Sequence, residues 1–126
     1  MKSFKNYIFE KQREETIDDF VNFSTNYLGL NQKPNIILLS KREPDMTSAS
    51  YDPNDCSIKI FAGSRALFDI CRSIAHEMVH QKQHQEIEDP SDLDGSTGSP
   101  HEDEANAMAG RIVRTYGKDN PGFYDE

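Results

Sequence analysis

The sequence predicts an α+β domain in which a small, mainly antiparallel sheet packs against helices. Two segments carry apolar residues at helical spacing, and short apolar or alternating runs bounded by turn formers lie between them. A third segment begins with residue types that cap helices. The chain has 126 residues, 35% of them hydrophobic, which is enough to close one small core but not two.

The first helix is predicted over residues 13–28, followed by a stop at Gly29, because glycine readily adopts the left-handed conformation that ends many helices. The helical stripe consists of Ile17, Phe20, Val21, Ser24 and Leu28.

Three strands are predicted next. The run "NIILLS" after Pro34 suits a buried strand, and "MTSASY" and "CSIKIFAG" flank the turn-forming "DPND". We expect the strand at 57–61 to pair through its edge with an extended peptide.

The second helix is predicted from Ser64, as its N-cap, to about Ile87, and the turn-rich "DPSDLDGSTGSP" follows as a loop. Its inward stripe consists of Leu67, Ile70, Cys71, Ile74 and Met78.

The third helix begins with Ser99 as N-cap, Pro100 at the first position and Glu102 three residues after Ser99. This is a capping box, in which the glutamate side chain turns back to the N-cap backbone. The helix is predicted to end near Gly117, which leaves residues 118–126 as a C-terminal tail.

Charge and composition exclude several classes of partner. The formal charge of −8 argues against binding to nucleic acid, which needs a basic patch. The longest aliphatic run, 36–39, is far shorter than a membrane span, and no apolar region follows the first two residues. We therefore expect no membrane contact, a cytoplasmic location, and reduced thiols at Cys56 and Cys71.

The second helix contains the sequence His76-Glu77-Met78-Val79-His80, an H-E-x-x-H motif. At 100° per residue the two histidines lie about 40° apart on the helix, so both imidazoles leave one face, as two ligands of one zinc ion must. They point away from the apolar stripe, so one helix face can pack on the core while the other faces a cleft. His84 lies about 80° from His76 and is expected to be a surface polar residue.

A third ligand must come from elsewhere, since two histidines leave a zinc ion under-coordinated. The third helix offers four candidates: His101, Glu102, Asp103 and Glu104. Glu102 is already assigned to the capping box, and Asp103 suits a helix start. We expect Glu104 because the small residues after it let this helix approach the metal-binding helix, and His101 is its main rival.

The motif "HEMVH" followed by "EANAMAG" resembles the gluzincin metallopeptidases, in particular the compact ImmA/IrrE-like group. The similarity covers about residues 48–114 and implies a minimal zincin fold. It implies one Zn²⁺ per chain bound by His76, His80 and Glu104, with Glu77 as general base. Many gluzincins carry an acidic residue four positions after the ligand glutamate, where this chain has Met108. Asn106 is the candidate that supports the histidines instead.

The resemblance implies hydrolysis of an amide bond in a protein or peptide substrate. Zinc lowers the pKa of a bound water toward about 7 and polarises the substrate carbonyl, while Glu77 accepts a proton and passes it to the leaving amine. Arg111 and Tyr116 are candidates for stabilising the oxyanion.

The opening stretch "MKSFKNYIFE" is expected, from its residues alone, to be a frayed terminus or the first turn of the following helix. It also resembles the capsid-targeting leader of internal head proteins in T-even-type tailed bacteriophages, which ends with an aliphatic-x-Glu pattern, here Ile8-Phe9-Glu10. The resemblance implies a tag at residues 1–10 that binds the prohead scaffold and is cut off by the prohead protease. The protein would then be packaged inside the phage capsid and delivered into the host cell.

The leading hypothesis is thus a zinc-dependent peptidase of phage origin, with residues 11–117 as the peptidase domain. A catalytically silent zinc-binding interaction module is the first alternative, and Glu77 argues against it because a structural zinc site has no use for a base. A SprT-like peptidase with His101 as third ligand is the second alternative.

Overall fold

The computed structural model describes residues 4–41, 44, 48–86 and 99–125, with side chains described between residues 12 and 124 of these ranges. Within them the elements are α1 (Phe4–Leu28), β1 (Asn35–Leu39), β2 (Ala49–Asp52), β3 (Ser57–Phe61), α2 (Leu67–Glu86), α3 (Pro100–Asp119) and the 3-10 helix η1 (Pro121–Asp125). Helix α2 contacts α1, α3, β2 and β3, and so lies at the centre of the described fold. The predicted α+β class is confirmed at this level.

Helix α1 is longer than predicted and begins at Phe4, so it includes most of the stretch expected to be a leader. Its predicted stripe is confirmed, because all five side chains of that stripe are buried: Ile17, Phe20, Val21, Ser24 and Leu28. The stop at Gly29 is also confirmed. Gly29 has a φ of 68°, and the N–H of Leu30 donates to the Thr25 carbonyl at 3.0 Å, which closes the helix end.

The sheet is mixed, which corrects the prediction of a mainly antiparallel one. The strand order is β1-β3-β2, with β1 parallel and β2 antiparallel to β3. The chain passes from β1 to the far edge, runs back along β2, and then turns into β3 between the two. Because β3 is inserted after this reversal, it runs in the same direction as β1.

Strand β3 is central and pairs on both sides, so it has no free edge for a peptide. The expectation of edge pairing at 57–61 is therefore wrong. Ile58 and Ile60 of this strand are fully buried. The edges of the described sheet belong to β1 and β2.

Helix α2 begins at Leu67, two residues later than an N-cap at Ser64 predicts. Ser64 has a φ of 56° and lies in a turn, and the Ala66 carbonyl accepts the first helical hydrogen bond, from Ile70 N–H at 3.1 Å. The Arg65 guanidinium fixes this start by donating to the Phe61 carbonyl at 2.7 Å and by pairing with the Asp69 carboxylate. The predicted inward stripe of α2 is buried throughout.

Helix α3 begins as predicted, with Ser99 as N-cap and its Oγ accepting from Glu102 N–H at 3.1 Å. Ala105 and Ala109 are buried in the packing of α3 with the rest of the domain. Small side chains at buried positions allow helix backbones to approach closely. The start of α3 can therefore lie near the histidine face of α2.

The segment at 118–125 is part of the fold rather than a free tail. Helix α3 continues to Asp119, and η1 follows it. Phe123 of η1 is only 3% exposed and packs against Phe20 and Tyr116, with ring centroids 5.9 and 5.1 Å away. No helix in the described part of the chain is both long enough and apolar enough to cross a membrane.

Candidate metal centre

The H-E-x-x-H motif lies on α2 with both histidines on one face. The Nε2 atoms of His76 and His80 are 3.2 Å apart, and the ring centroids are separated by 4.9 Å. Both side chains are half-buried, whereas Ile74 and Met78 on the inward face are fully buried. The helix is divided as its sequence predicts, with one face in the core and the other facing outward.

The outward face of α2 lines a cleft of about 840 Å³. Ala49 and Tyr51 of the edge strand β2 form part of one wall, and residues at the start of α3 contribute to the lining as well. The Tyr51 ring meets the His84 ring edge-on, with 6.4 Å between centroids. The histidine pair is thus reachable from outside and lies next to a strand edge.

Glu102 of α3 meets both histidines. Its Oε1 lies 2.5 Å from His76 Nε2, and its Oε2 lies 3.1 Å from His80 Nε2. The donor atoms of the three side chains all lie within 4.8 Å of one another, so this group can hold a metal ion. The elements that bring it together are the helix turn between the two histidines and the packing of α3 on α2.

Glu104 was expected to be the third ligand, but its side chain does not lie beside the histidines. Glu102 occupies that place instead, which corrects the prediction. Glu104 is exposed, and its Oε1 accepts a hydrogen bond from Gln83 Nε2 at 3.0 Å. The physical reason is rotation along the helix, since two residues correspond to about 200°. The capping box predicts that the Glu102 side chain accepts a hydrogen bond from the Ser99 backbone. In the structure both of its carboxylate oxygens contact histidines instead.

A signal for Glu102 was present in the sequence. The buried face of α3 consists of Ala105, Ala109, Ile112, Val113 and Tyr116. At 100° per residue Glu102 falls within that stripe, between Ala109 and Val113, whereas Glu104 falls outside it. The inward stripe therefore predicts that Glu102, rather than Glu104, points toward α2.

Asn106 is the fourth residue after Glu102 and supports His76. It lines the cleft and makes a side-chain hydrogen bond to His76. Counted from Glu104, the fourth position is Met108, which made the support of the histidines look incomplete. Counted from Glu102, the fourth position is Asn106, whose side chain is polar.

Burial lowers the pKa of His76 below its ordinary value, although the Glu102 carboxylate acts in the opposite direction. This shift favours the neutral imidazole, which is the form that ligates metals.

Glu77 lines the same cleft beside His76. Its side chain is largely shielded from water, and burial raises the pKa of its carboxyl to about 7, with a further rise caused by Glu102 and an opposing effect of His80. A carboxyl at this place can exchange a proton with a molecule bound in the cleft.

Gln83 also belongs to the site, and the sequence did not single it out. It is 7% exposed, and its Oε1 lies 2.8 Å from His80 Nδ1. Its spacing of three residues from His80, on the same side of the helix, is the signal that could have indicated it.

The other predicted residues divide into those in the cleft and those outside it. His101 lines the cleft, but its ring nitrogens are not part of the ligand group among the described residues. Arg111 is exposed, and its Nη1 lies 3.8 Å from Met108 Sδ. Tyr116 is 4% exposed and donates to Asp19 Oδ2 at 2.7 Å. Neither Arg111 nor Tyr116 lines the cleft, so the structure does not place these two candidates beside the histidine pair.

Comparisons of this chain with protein-family models, with curated proteins and with solved structures each find no match. Functional assignment therefore depends on the geometry and chemistry of the His76, His80 and Glu102 group and of the cleft around it.

Proposed function

We propose that this protein is a zinc-dependent peptidase in which His76, His80 and Glu102 bind the metal and Glu77 is the general base. The observation that carries the proposal is the convergence of three ligand atoms within 4.8 Å at a cleft that Glu77 also lines. Two histidines and one glutamate, with a fourth position left for water, form a known donor set of catalytic zinc sites.

The distances between donor atoms fit zinc. Two ligands of a tetrahedral zinc ion with bonds of about 2.0–2.1 Å lie about 3.3 Å apart. The Nε2 atoms of His76 and His80 are 3.2 Å apart. The distance from His80 Nε2 to Oε2 of Glu102 is 3.1 Å, whereas His76 meets the other oxygen, Oε1. The 2.5 Å contact between Glu102 and His76 is shorter, so the carboxylate would have to withdraw by less than about 1 Å.

The protein side chains supply binding and proton transfer. When bound, zinc contributes Lewis-acid chemistry, in that it lowers the pKa of water toward about 7 and polarises a carbonyl. Glu77 accepts the proton of the attacking water and then donates it to the amine of the broken amide bond. A purely structural zinc site would have no need of Glu77, which favours an enzyme over a silent binding module.

The edge strand β2 is the place where we propose that an extended peptide binds. It lies at one end of the described sheet order and lines the cleft through Ala49, Ser50 and Tyr51. Backbone pairing along a strand edge accepts many sequences, and it would hold a peptide alongside α2. This role replaces the one expected for β3.

The test compares the wild-type chain with Glu77→Gln and with Glu86→Gln as the matched control. Glu86 stands on the same helix, is exposed, and pairs with Lys82 outside the cleft. We expect one zinc per chain in all three proteins, cleavage of a peptide library by the wild type and Glu86→Gln, and a loss of about 10²- to 10⁴-fold in Glu77→Gln.

Two results would contradict the proposal: a wild-type chain that takes up no zinc, or a Glu77→Gln variant that cleaves as fast as the wild type. A wild-type chain that binds zinc stoichiometrically but cleaves no peptide would favour the binding module.

A further inference from the structure

We infer that Gln83 is a positioning residue that keeps a proton on Nδ1 of His80 and leaves Nε2 with its lone pair facing Glu102 and His76. The inference rests on the proposed function only where it concerns zinc. The hydrogen-bond pattern that carries it is a property of the chain by itself.

Gln83 makes three side-chain contacts, which use both N–H donors of its amide and one of the two acceptor positions of its oxygen. Its Nε2 donates to the His101 carbonyl at 2.9 Å and to Glu104 Oε1 at 3.0 Å. Its Oε1 lies 2.8 Å from His80 Nδ1. The side chain is nearly inaccessible to water, so these contacts are not shared with bulk solvent.

The direction of the amide follows from its partners. A backbone carbonyl and a carboxylate only accept hydrogen bonds, so the end of Gln83 that faces them must be the NH₂ group. The end that faces His80 must then be the carbonyl oxygen, which only accepts. His80 Nδ1 therefore has to be the donor, and a neutral His80 ring carries its proton on Nδ1.

This arrangement makes His80 Nε2 available as a ligand. A neutral imidazole protonated on Nδ1 has its lone pair on Nε2, the atom that lies 3.2 Å from His76 Nε2 and 3.1 Å from Glu102 Oε2. Partners that hold the second nitrogen of a ligating histidine fix both its tautomer and its ring orientation.

Gln83 also joins the two helices that carry the ligands. Its contacts with the His101 carbonyl and with Glu104 lie on either side of Glu102 in the chain. Glu104 was predicted from the sequence to be a ligand. Instead it accepts a hydrogen bond from the Gln83 amide and so orients the amide, which in turn orients His80. Each histidine has its own amide partner, Asn106 for His76 and Gln83 for His80.

The experiment uses the full chain and three variants. Gln83→Met removes the acceptor and the donors at nearly constant length. The double change Gln83→Glu with Glu104→Gln keeps an acceptor for His80 Nδ1. The amide at position 104 then donates to the carboxylate at position 83, and only the bond to the His101 carbonyl is lost. Gln85→Met is the matched control, because Gln85 is exposed on the same helix and bonds to Asn31 N–H and the Gly29 carbonyl outside the cleft.

The first readout is the tautomer of His80 in the metal-free chain, taken from ring ¹⁵N chemical shifts about two pH units above the ordinary histidine pKa of about 6.5. We expect Nδ1–H in the wild type, in the double variant and in Gln85→Met. In Gln83→Met the proton should move to Nε2, where the Glu102 carboxylate accepts it.

The second readout is zinc affinity. We expect it to fall about 10- to 100-fold in Gln83→Met and to return most of the way to the wild-type value in the double variant. In Gln85→Met it should stay unchanged. Circular dichroism checks that each variant is folded, and the double variant still tests the inference if Gln83→Met does not fold.

An Nε2–H tautomer in the wild type would overturn the inference, as would a Gln83→Met variant with unchanged tautomer and zinc affinity. A wild-type chain that has the Nδ1–H tautomer but binds no zinc would uphold the positioning role and refute the proposed function instead.

Discussion

Oε1 of Glu102 lies 2.5 Å from Nε2 of His76, and this contact joins two different helices, α3 and α2. The backbone N–H of the same glutamate donates to the Ser99 side chain, so a residue that takes part in capping the first turn of α3 also reaches the histidines. The candidate site is therefore assembled by the packing of α3 on α2.

The first prediction concerns the third ligand. Because Glu102 meets both histidines and Glu104 meets Gln83, Glu102→Ala should weaken zinc binding by more than about 100-fold. Glu104→Ala should weaken it about tenfold or less, through the loosened Gln83. A competition titration with a zinc-binding dye measures both. The reverse order of the two losses would return the ligand role to Glu104.

The second prediction tests whether close packing of α3 is needed for the site. Ala105 is fully buried, so Ala105→Leu should push α3 away from its neighbours, cost about 1–3 kcal/mol of stability and lower zinc affinity at least about tenfold. Ala107 is exposed on the same helix, and Ala107→Leu should leave both quantities near wild type. Urea unfolding and metal titration give the two readouts. Equal zinc affinity in both variants would contradict the packing argument.

The third prediction concerns Tyr116 and alkaline pH. Burial and the hydrogen bond to Asp19 raise the pKa of Tyr116 above its ordinary value of 10.0, and Cys71 adds to the rise from α2. The unfolded chain therefore loses the phenol proton before the folded chain does. The contribution of Tyr116 to the free energy of unfolding is complete below about pH 10 and declines as the pH rises above it.

Tyr116→Phe should accordingly lower the stability by about 1 kcal/mol at neutral pH and reduce its decline above pH 10. Tyr27→Phe is the control, since Tyr27 is 43% exposed. Urea unfolding at neutral and alkaline pH measures the effect. Peptidase turnover should be unchanged because Tyr116 lies outside the cleft, and a large loss of turnover would restore its predicted role in catalysis.

The fourth prediction concerns the opening stretch. A chain that begins at Lys11 should keep its zinc content and nearly its full thermal midpoint, because the stripe of residues at helical spacing begins at Ile17 and several polar and charged residues precede it. If residues 1–10 are a capsid-targeting leader, the same truncation should abolish packaging into phage heads.

Two outcomes would argue against the leader. A midpoint lower by many degrees would mean that the helical turns from Phe4 onward pack against the domain, at about 1.5–3 kcal/mol for each buried large side chain. Normal packaging of the truncated chain would remove the addressing role.

The sequence by itself determined the features that depend on local periodicity and local hydrogen bonds. The stripe from Ile17 to Leu28 specified the buried face of α1, and the spacing of His76 and His80 placed both rings on one helix face. Ser99 specified the start of α3 through a bond to a residue only three positions away.

The tertiary structure decided the features that depend on contacts between distant segments. The parallel pairing of β1 with β3 requires β2 to occupy the far edge, which no local pattern encodes. Phe123 is buried because its ring packs against Phe20 of α1 and Tyr116 of α3, which are distant from each other in the sequence.

The choice between Glu102 and Glu104 belongs to the same class. A capping box describes backbone bonds within one helix turn, whereas the partner of the Glu102 side chain depends on which face of α3 packs against α2. Buried Ala105 and Ala109 set that face, and because helix rotation separates the two glutamates by about 200°, only Glu102 can share it.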